Sequence, residues 1–360
     1  MKCLGRALLA GTAMILIGAP LRAETMPEPT SVPGPPTQFQ TQFDPVGPAV
    51  QALPGTHGRT IHFADTGETG WRPVLFLGGT GTSARGFLMT GYLETLRRQL
   101  HLRFISVERN GFGDSPYDPA WTYADYVGDV RSVLDHLGVA RFAMVSISGG
   151  GPYAGHIAAA MPDRLISVHF AAALANVRSP SLDVCQAPLP DVAKGLAATV
   201  QNPEAWWHYP PTSPTAHIPG FADRAYDEGA RAFFIRGQMG DPLPEAAEMR
   251  RYCQPALPAL TALKAPMFTY YGGADSLVVP ANGAFWRKST GGPATERAYP
   301  GEGHDVQYRH WDQVLIDLAG FGSSELICRD GQSVLLPASI AKRALAGGAL
   351  TGLCLWQKGA

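Results

Sequence analysis

From Arg59 onward two hydrophobic patterns alternate along the chain. Short apolar runs rich in Val, Ile, Phe and Tyr, at residues 60–64, 73–77, 103–107, 142–146, 166–172, 267–271 and 295–298, predict strands. Residues 123–137, 153–161 and 311–318 carry apolar positions at helical spacing and predict helices between them. Several of the strand runs are apolar almost throughout, as a strand covered on both faces requires. The expected fold class is therefore α/β, with a mostly parallel central sheet and helices on both faces.

The alternation lapses over residues 177–263, where prolines, Trp206, Trp207 and two cysteines crowd together without a strand pattern. This stretch reads as a cap or lid insertion. In open parallel sheets ligands bind at the carboxyl ends of the strands, so an insertion leaving that edge would roof a site there. Its Trp206, Trp207, Tyr209, Phe221, Phe233 and Phe234 would suit an apolar pocket. The remaining boundaries follow: a core over 50–176 and 264–322, a Pro-rich linker over 24–49, and a C-terminal appendage over 323–360.

Residues 1–23 have the layout of a secretory signal peptide, with Lys2 and Arg6 ahead of an apolar run at 7–18, then Pro20 and the small Ala23. That run falls short of the roughly 20 apolar residues of a spanning helix, so no stable membrane insertion is expected after cleavage. The expected location is periplasmic or secreted. With Cys3 removed, Cys185, Cys253, Cys328 and Cys354 remain, an even number suited to an oxidising compartment. Pairing Cys185 with Cys253 and Cys328 with Cys354 would close one local segment each.

Composition narrows the chemistry. Across 360 residues, 29 basic side chains balance 30 acidic ones with no basic run, so nucleic acid is not an expected partner. No cluster of His, Cys and carboxylates has zinc spacing, and no metal is expected. Gly79, Gly81 and Ala84 satisfy the dinucleotide fingerprint, with Glu108 closing the next strand where a ribose-binding acid might stand. A hydride-transfer enzyme would nonetheless leave the residues described next unexplained, so no cofactor is expected.

The strand at 142–146 runs into Ser146, Ile147, Ser148, Gly149, Gly150, Gly151 and Pro152, and a helix follows. A serine on a sharp strand-to-helix turn needs small residues two positions before and after it. Around Ser148 these are Ser146 and Gly150, whereas Ser146 as nucleophile would set Met144 in one of those places. Ser148 therefore needs a base and an orienting acid. His304, bracketed by Gly303 and Asp305 after the last strand, is the candidate base, and Asp275, after the strand at 267–271, the candidate acid. His310 and His156 read as packed residues. The backbone N–H groups of Gly149 and Thr80, the latter in the glycine-rich loop at 78–83, are candidate oxyanion donors.

On these residues the chain resembles the α/β-hydrolase superfamily, specifically its esterase-like members, from about Arg59 to Leu318. The loop at 78–83 is similar to that family's His-Gly-x-Pro-Gly loop, with Gly78 where histidine is usual and Gly81 where proline is. Arg109 to Ser115 are similar to its Arg-Pro-Gly-Phe-Gly-x-Ser turn, with Asn110 for proline. The resemblance implies metal-free acyl transfer through an acyl-enzyme on a small-molecule or polymeric carboxylic ester. Peptidases, carbon–carbon bond hydrolases and silent binding proteins share the scaffold. An aminopeptidase would require a cap carboxylate for the substrate amine, for which Glu204, Asp223, Asp227 and Glu228 are candidates. Cys328, Gly331, Ser333, Gly352 and Cys354 resemble a cysteine-bracketed segment of assorted exported bacterial proteins. That segment usually carries two histidines and an aspartate where this chain has Ala344, Gly347 and Ala349, so a disulfide-closed appendage is expected.

Overall fold

A computed structural model describes residues 47–175, 184–201, 240–253 and 257–354. The proposed signal segment and residues 24–46 of the linker lie outside these residues. So do Glu204, Asp223, Asp227, Glu228 and the cap aromatics from Trp206 to Phe234.

Eight strands form one sheet: β1 (Gln51–Pro54), β2 (Thr60–Asp65), β3 (Arg72–Leu77), β4 (Leu102–Val107), β5 (Phe142–Ile147), β6 (Leu165–Ala171), β7 (Met267–Gly272) and β8 (Ala294–Tyr299). Their spatial order is β1-β2-β4-β3-β5-β6-β7-β8. β1, β2 and β4 pair antiparallel, and every pairing from β4 through β8 is parallel. β5 and β7 are buried along their whole length, because helices cover both faces of the sheet.

Two hydrophobic clusters lie against the sheet. One gathers Val130, Val133, Ile157 and Trp286 against Leu75, Met144 and Phe170, and the other sets Phe87, Trp311 and Leu315 against Phe76, Val145 and Tyr270. The helix Tyr123–His136 starts where Thr122 and Asp125 form a reciprocal capping box, and it buries Tyr126, Val127, Val130, Val133 and Leu134. The predicted helix over 311–318 is shorter, Trp311–Ile316, because a wide turn over Asp317–Phe321 follows and Gly320 takes φ 101°.

Strand order also locates the site. After β3 the chain passes to β4 on one side and then returns to β5 on the other, so the loops leaving β3 and β5 diverge around one crevice. Such a switch point is where open parallel sheets place their ligands.

Within the cap stretch, the helices Leu189–Gln201 and Leu243–Arg251 are described. A disulfide between Cys185 and Cys253 ties the segment before the first to the residues after the second. At the C-terminus, β9 (Ser324–Arg329), β10 (Gln332–Pro337) and β11 (Leu350–Thr351) form a separate small sheet with the helix Ala338–Ala346. Asp330 and Gly331 both take positive φ in the β9–β10 turn, which matches the strand twist of a tight hairpin. Cys328 and Cys354 are bonded to each other.

Candidate active site

β5 delivers Ser148 to the carboxyl edge of the sheet at φ 47°, a left-handed conformation costing a non-glycine residue about 1–3 kcal/mol. Its neighbours hold it there. The Leu174 N–H donates to the Ser148 carbonyl at 2.7 Å. A Cβ on Gly151 would lie 2.0 Å from the Leu174 carbonyl oxygen, and one on Gly150 would lie 2.7 Å from the carbonyls of Leu77 and Gly78. The glycine run therefore lets backbone pack directly on backbone. Ser146, the alternative nucleophile, is fully buried within β5.

Across the crevice, His304 Nε2 lies 3.0 Å from Ser148 Oγ and Nδ1 lies 2.8 Å from Asp275 Oδ2. With Nδ1 donating to the carboxylate, Nε2 is the nitrogen left to accept the serine proton. The Asp275 side chain is fully buried, while that of His304 keeps 19% of its surface exposed toward the crevice. The other Asp275 oxygen accepts from the N–H groups of Leu277 and Val278, both at 2.9 Å, which fixes the carboxylate plane.

The strand-end loops bearing the acid and the histidine are laced together: Ala274 N–H donates to the Glu302 carbonyl at 2.9 Å. Glu302 in turn meets His310 Nε2 at 2.8 Å, and the His310 ring stacks on Tyr299 at 3.6 Å. His156 stacks on Tyr123 at 4.4 Å. Both histidines are packed outside the Ser148–His304–Asp275 line.

The loop leaving β3 forms the facing wall. A Cβ built on Gly149 would lie 3.0 Å from the Thr80 amide nitrogen, and one on Gly79 3.4 Å from Ser148 Cβ, so this loop packs directly against the Ser148 turn. Arg109 and Glu248, which sequence spacing did not tie to the site, hold this loop. Their side chains pair at 2.8 Å with 5% and 2% exposure. Arg109 Nη2 donates to the Gly79 carbonyl at 2.5 Å, and to the Thr82 carbonyl and hydroxyl at 2.9 Å. Glu248 Oε2 accepts from the Gly81 N–H at 3.0 Å. The loop is gripped at Gly79 and Thr82 by a cation from the turn after β4 and at Gly81 by an anion from the cap helix.

Burial disfavours the Arg109 charge, yet the Glu248 carboxylate beside it outweighs that cost and holds it protonated. Glu108 serves the same loop, its Oε1 accepting from Ala84 N–H at 2.7 Å. Burial pushes its carboxyl up to about 8, against the pull of the Ala84 N–H and Arg109. The acid that a dinucleotide reading would turn toward a ribose is instead spent on the loop's own backbone.

A cap carboxylate for a substrate amine finds limited support among the described residues. Glu248 is committed to Arg109 and Gly81. Glu245 is buried in the same helix, and burial followed by the Glu248 charge raises its carboxyl to about 7. Among the described residues no group of three or more His, Cys, Asp or Glu is placed to hold a metal ion, and no helix is long and apolar enough to cross a membrane.

Residues 74–325 match the model of the alpha/beta hydrolase family. No curated protein matches the chain. Among solved structures, a hydrolase from Pseudomonas aeruginosa PA01 is similar at TM-score 0.57 and 18% identity, covering 75% of this chain and 98% of its own. An esterase from Exiguobacterium antarcticum is similar at TM-score 0.56 and 14% identity, covering 76% of this chain and 98% of its own. The enol-lactonase of Burkholderia xenovorans LB400 is similar at TM-score 0.52 and 20% identity, covering 75% and 99% respectively. At these identities the likeness concerns the fold.

Proposed function

The chain belongs to the alpha/beta hydrolase family, and on that premise we propose that it is a serine hydrolase cleaving carboxylic esters through an acyl-enzyme. The observation carrying this reading is the unbroken line from Ser148 Oγ through His304 to Asp275, at 3.0 and 2.8 Å. His304 takes the Ser148 proton as the hydroxyl oxygen attacks the acyl carbon, and the carbonyl oxygen becomes an oxyanion held by the Gly149 and Thr80 amides. His304 then returns that proton to the departing alcohol, leaving the acyl group on Ser148. A water molecule repeats the sequence and releases the acid. Asp275 keeps the imidazole in the accepting tautomer and stabilises its charged form. Small and polymeric esters both satisfy this chemistry.

Action outside the cytoplasm, in the periplasm or the medium, belongs to the same proposal. The Cys185–Cys253 and Cys328–Cys354 bonds support it, since such bonds persist in oxidising compartments.

A fluorophosphonate probe on the purified protein, with mapping of the labelled residue, tests the proposal alongside hydrolysis of p-nitrophenyl acetate and octanoate. Labelling is expected at Ser148, and Ser148→Ala is expected to lose at least about a thousandfold in rate while folding normally. A folded Ser148→Ala protein with the wild-type rate would overturn the assignment. Labelling without ester turnover would redirect it to a peptidase or carbon–carbon bond hydrolase.

A further inference from the structure

The space beside Gly149 holds more donors than the two amides. A Cβ on that glycine would lie 2.2 Å from Thr80 Oγ1 and equally 2.2 Å from the Tyr252 hydroxyl oxygen. Both hydroxyls therefore stand where a Gly149 side chain would lie, beside the backbone that presents the Gly149 N–H. The two hydroxyls are hydrogen-bonded to each other at 2.9 Å.

A pair of hydroxyls carries two protons, and the bond between them uses one. Whichever oxygen donates inside the pair, the other proton is left to point outward. Among the described residues neither hydroxyl bonds to any further group. A donor polarised by a second hydroxyl behind it is stronger than a lone one, and a buried donor gains most from an acceptor that carries charge. The oxyanion that forms beside Gly149 is such an acceptor.

Tyr252 is held for this position. It closes the cap helix Leu243–Arg251 and precedes Cys253, whose disulfide to Cys185 anchors the segment. Glu248 of the same helix grips the Gly81 amide, so one element carries both the loop's anchor and the tyrosine. Burial, reinforced by the Glu248 charge, raises the phenol well above its ordinary value and keeps its proton on.

We infer that the Thr80–Tyr252 hydroxyl pair supplies a third hydrogen bond to the oxyanion, so that the cap contributes a catalytic group and not only a roof. This rests on the serine-esterase reading above.

The test compares Tyr252→Phe, Thr80→Val and the double variant in steady-state ester hydrolysis and in binding of an aryl trifluoromethyl ketone, which forms a tetrahedral adduct on the serine. Each single variant is expected to lower kcat by roughly tenfold to a hundredfold with KM changed less than about threefold, and to weaken ketone binding in proportion. The double variant is expected to fall no further than the worse single, because the pair delivers one proton. Thr80→Ser, which keeps a hydroxyl, should retain most of the rate that Thr80→Val loses.

A Tyr252→Phe protein with an intact Cys185–Cys253 bond, wild-type kcat and undiminished ketone affinity would overturn the inference alone. So would losses confined to KM, or singles whose effects multiply. A wild-type protein that reacts with neither fluorophosphonate nor ester would instead overturn the esterase reading, and this inference with it.

Discussion

The turn that carries Ser148 is held by backbone packed against backbone, whereas the loop at 78–83 that faces it is held by the charged side chains of Arg109 and Glu248. At the turn, Leu174 N–H meets the Ser148 carbonyl, and glycines at 150 and 151 leave room for the carbonyls of Leu77, Gly78 and Leu174. At the loop, Arg109 and Glu248 pair in a buried clamp whose hydrogen bonds reach Gly79, Gly81 and Thr82. The first wall follows from small residues and strand geometry and tolerates almost no added volume. The second depends on a cap helix arriving in the right place and is the softer of the two. A loop with glycine where its relatives commonly have histidine and proline needs such outside support, since glycine restricts its own backbone least.

This contrast sets the order of expected effects. Gly151→Ala should be the most damaging of these to the rate, because its Cβ would stand 2.0 Å from a backbone oxygen that cannot yield without moving the turn. Ester hydrolysis should fall at least about a hundredfold, with about 1–3 kcal/mol lost in denaturant unfolding. An unaffected Gly151→Ala enzyme would mean the turn is not locked as described.

Glu248→Ala comes next. It strands the Arg109 charge in the interior, a change expected to cost about 3–5 kcal/mol in unfolding free energy. It also frees Gly81, so kcat should drop roughly tenfold as one oxyanion donor loses alignment. Glu248→Gln keeps an acceptor for Gly81 and should lose less rate. Equal rates for the alanine and glutamine variants would show that the loop does not rely on this anchor.

The disulfides sharpen the comparison with a smaller effect on the rate. Replacing Cys185 and Cys253 together by serine opens a link of sequence separation 68, for which loop entropy predicts about 4 kcal/mol, and should lower kcat a few-fold through the cap. Replacing Cys328 and Cys354 opens a link of separation 26, worth about 3.5 kcal/mol on the same scale, and should leave kcat unchanged. Thermal unfolding with parallel kinetics separates the two. Equal loss of activity from both pairs would deny the cap its special connection to the site.

The last effect is read in stability against pH and not in rate. The Glu108 carboxyl titrates at about 8 in the folded chain against an ordinary value of 4.5. A raised carboxyl favours folding below the unfolded value and loses that contribution as pH rises toward the folded one. Glu245, raised to about 7, acts in the same direction. The melting temperature should therefore decline between pH 5 and 9, and Glu108→Gln should flatten that decline. A steeper decline in the variant would reverse the sign argued here.

Most of the sheet was legible in advance because its information is local. The apolar runs at 73–77 and 142–146 appear as β3 (Arg72–Leu77) and β5 (Phe142–Ile147), displaced by a residue at their ends. Strand β1 and the helices Leu243–Arg251 and Ala281–Ser289 leave no such local signal. β1 is four residues long at the sheet edge, and the two helices mix buried and polar positions without a clean stripe. Ser148, Asp275 and His304 were singled out by the loop each occupies, and the structure sets those loops together at one strand edge.

What the sequence determined by itself is the kind of parts: strands of a covered parallel sheet, a serine on a turn only small residues permit, and an acid and a histidine at later strand ends. Each reflects constraints acting within a few residues. Only the tertiary structure decided that Arg109, Glu248 and Tyr252 serve the loop opposite that serine. A buried acid and a solvated one look alike along a helix, and their roles come from partners far away in the chain that folding alone brings within hydrogen-bond distance.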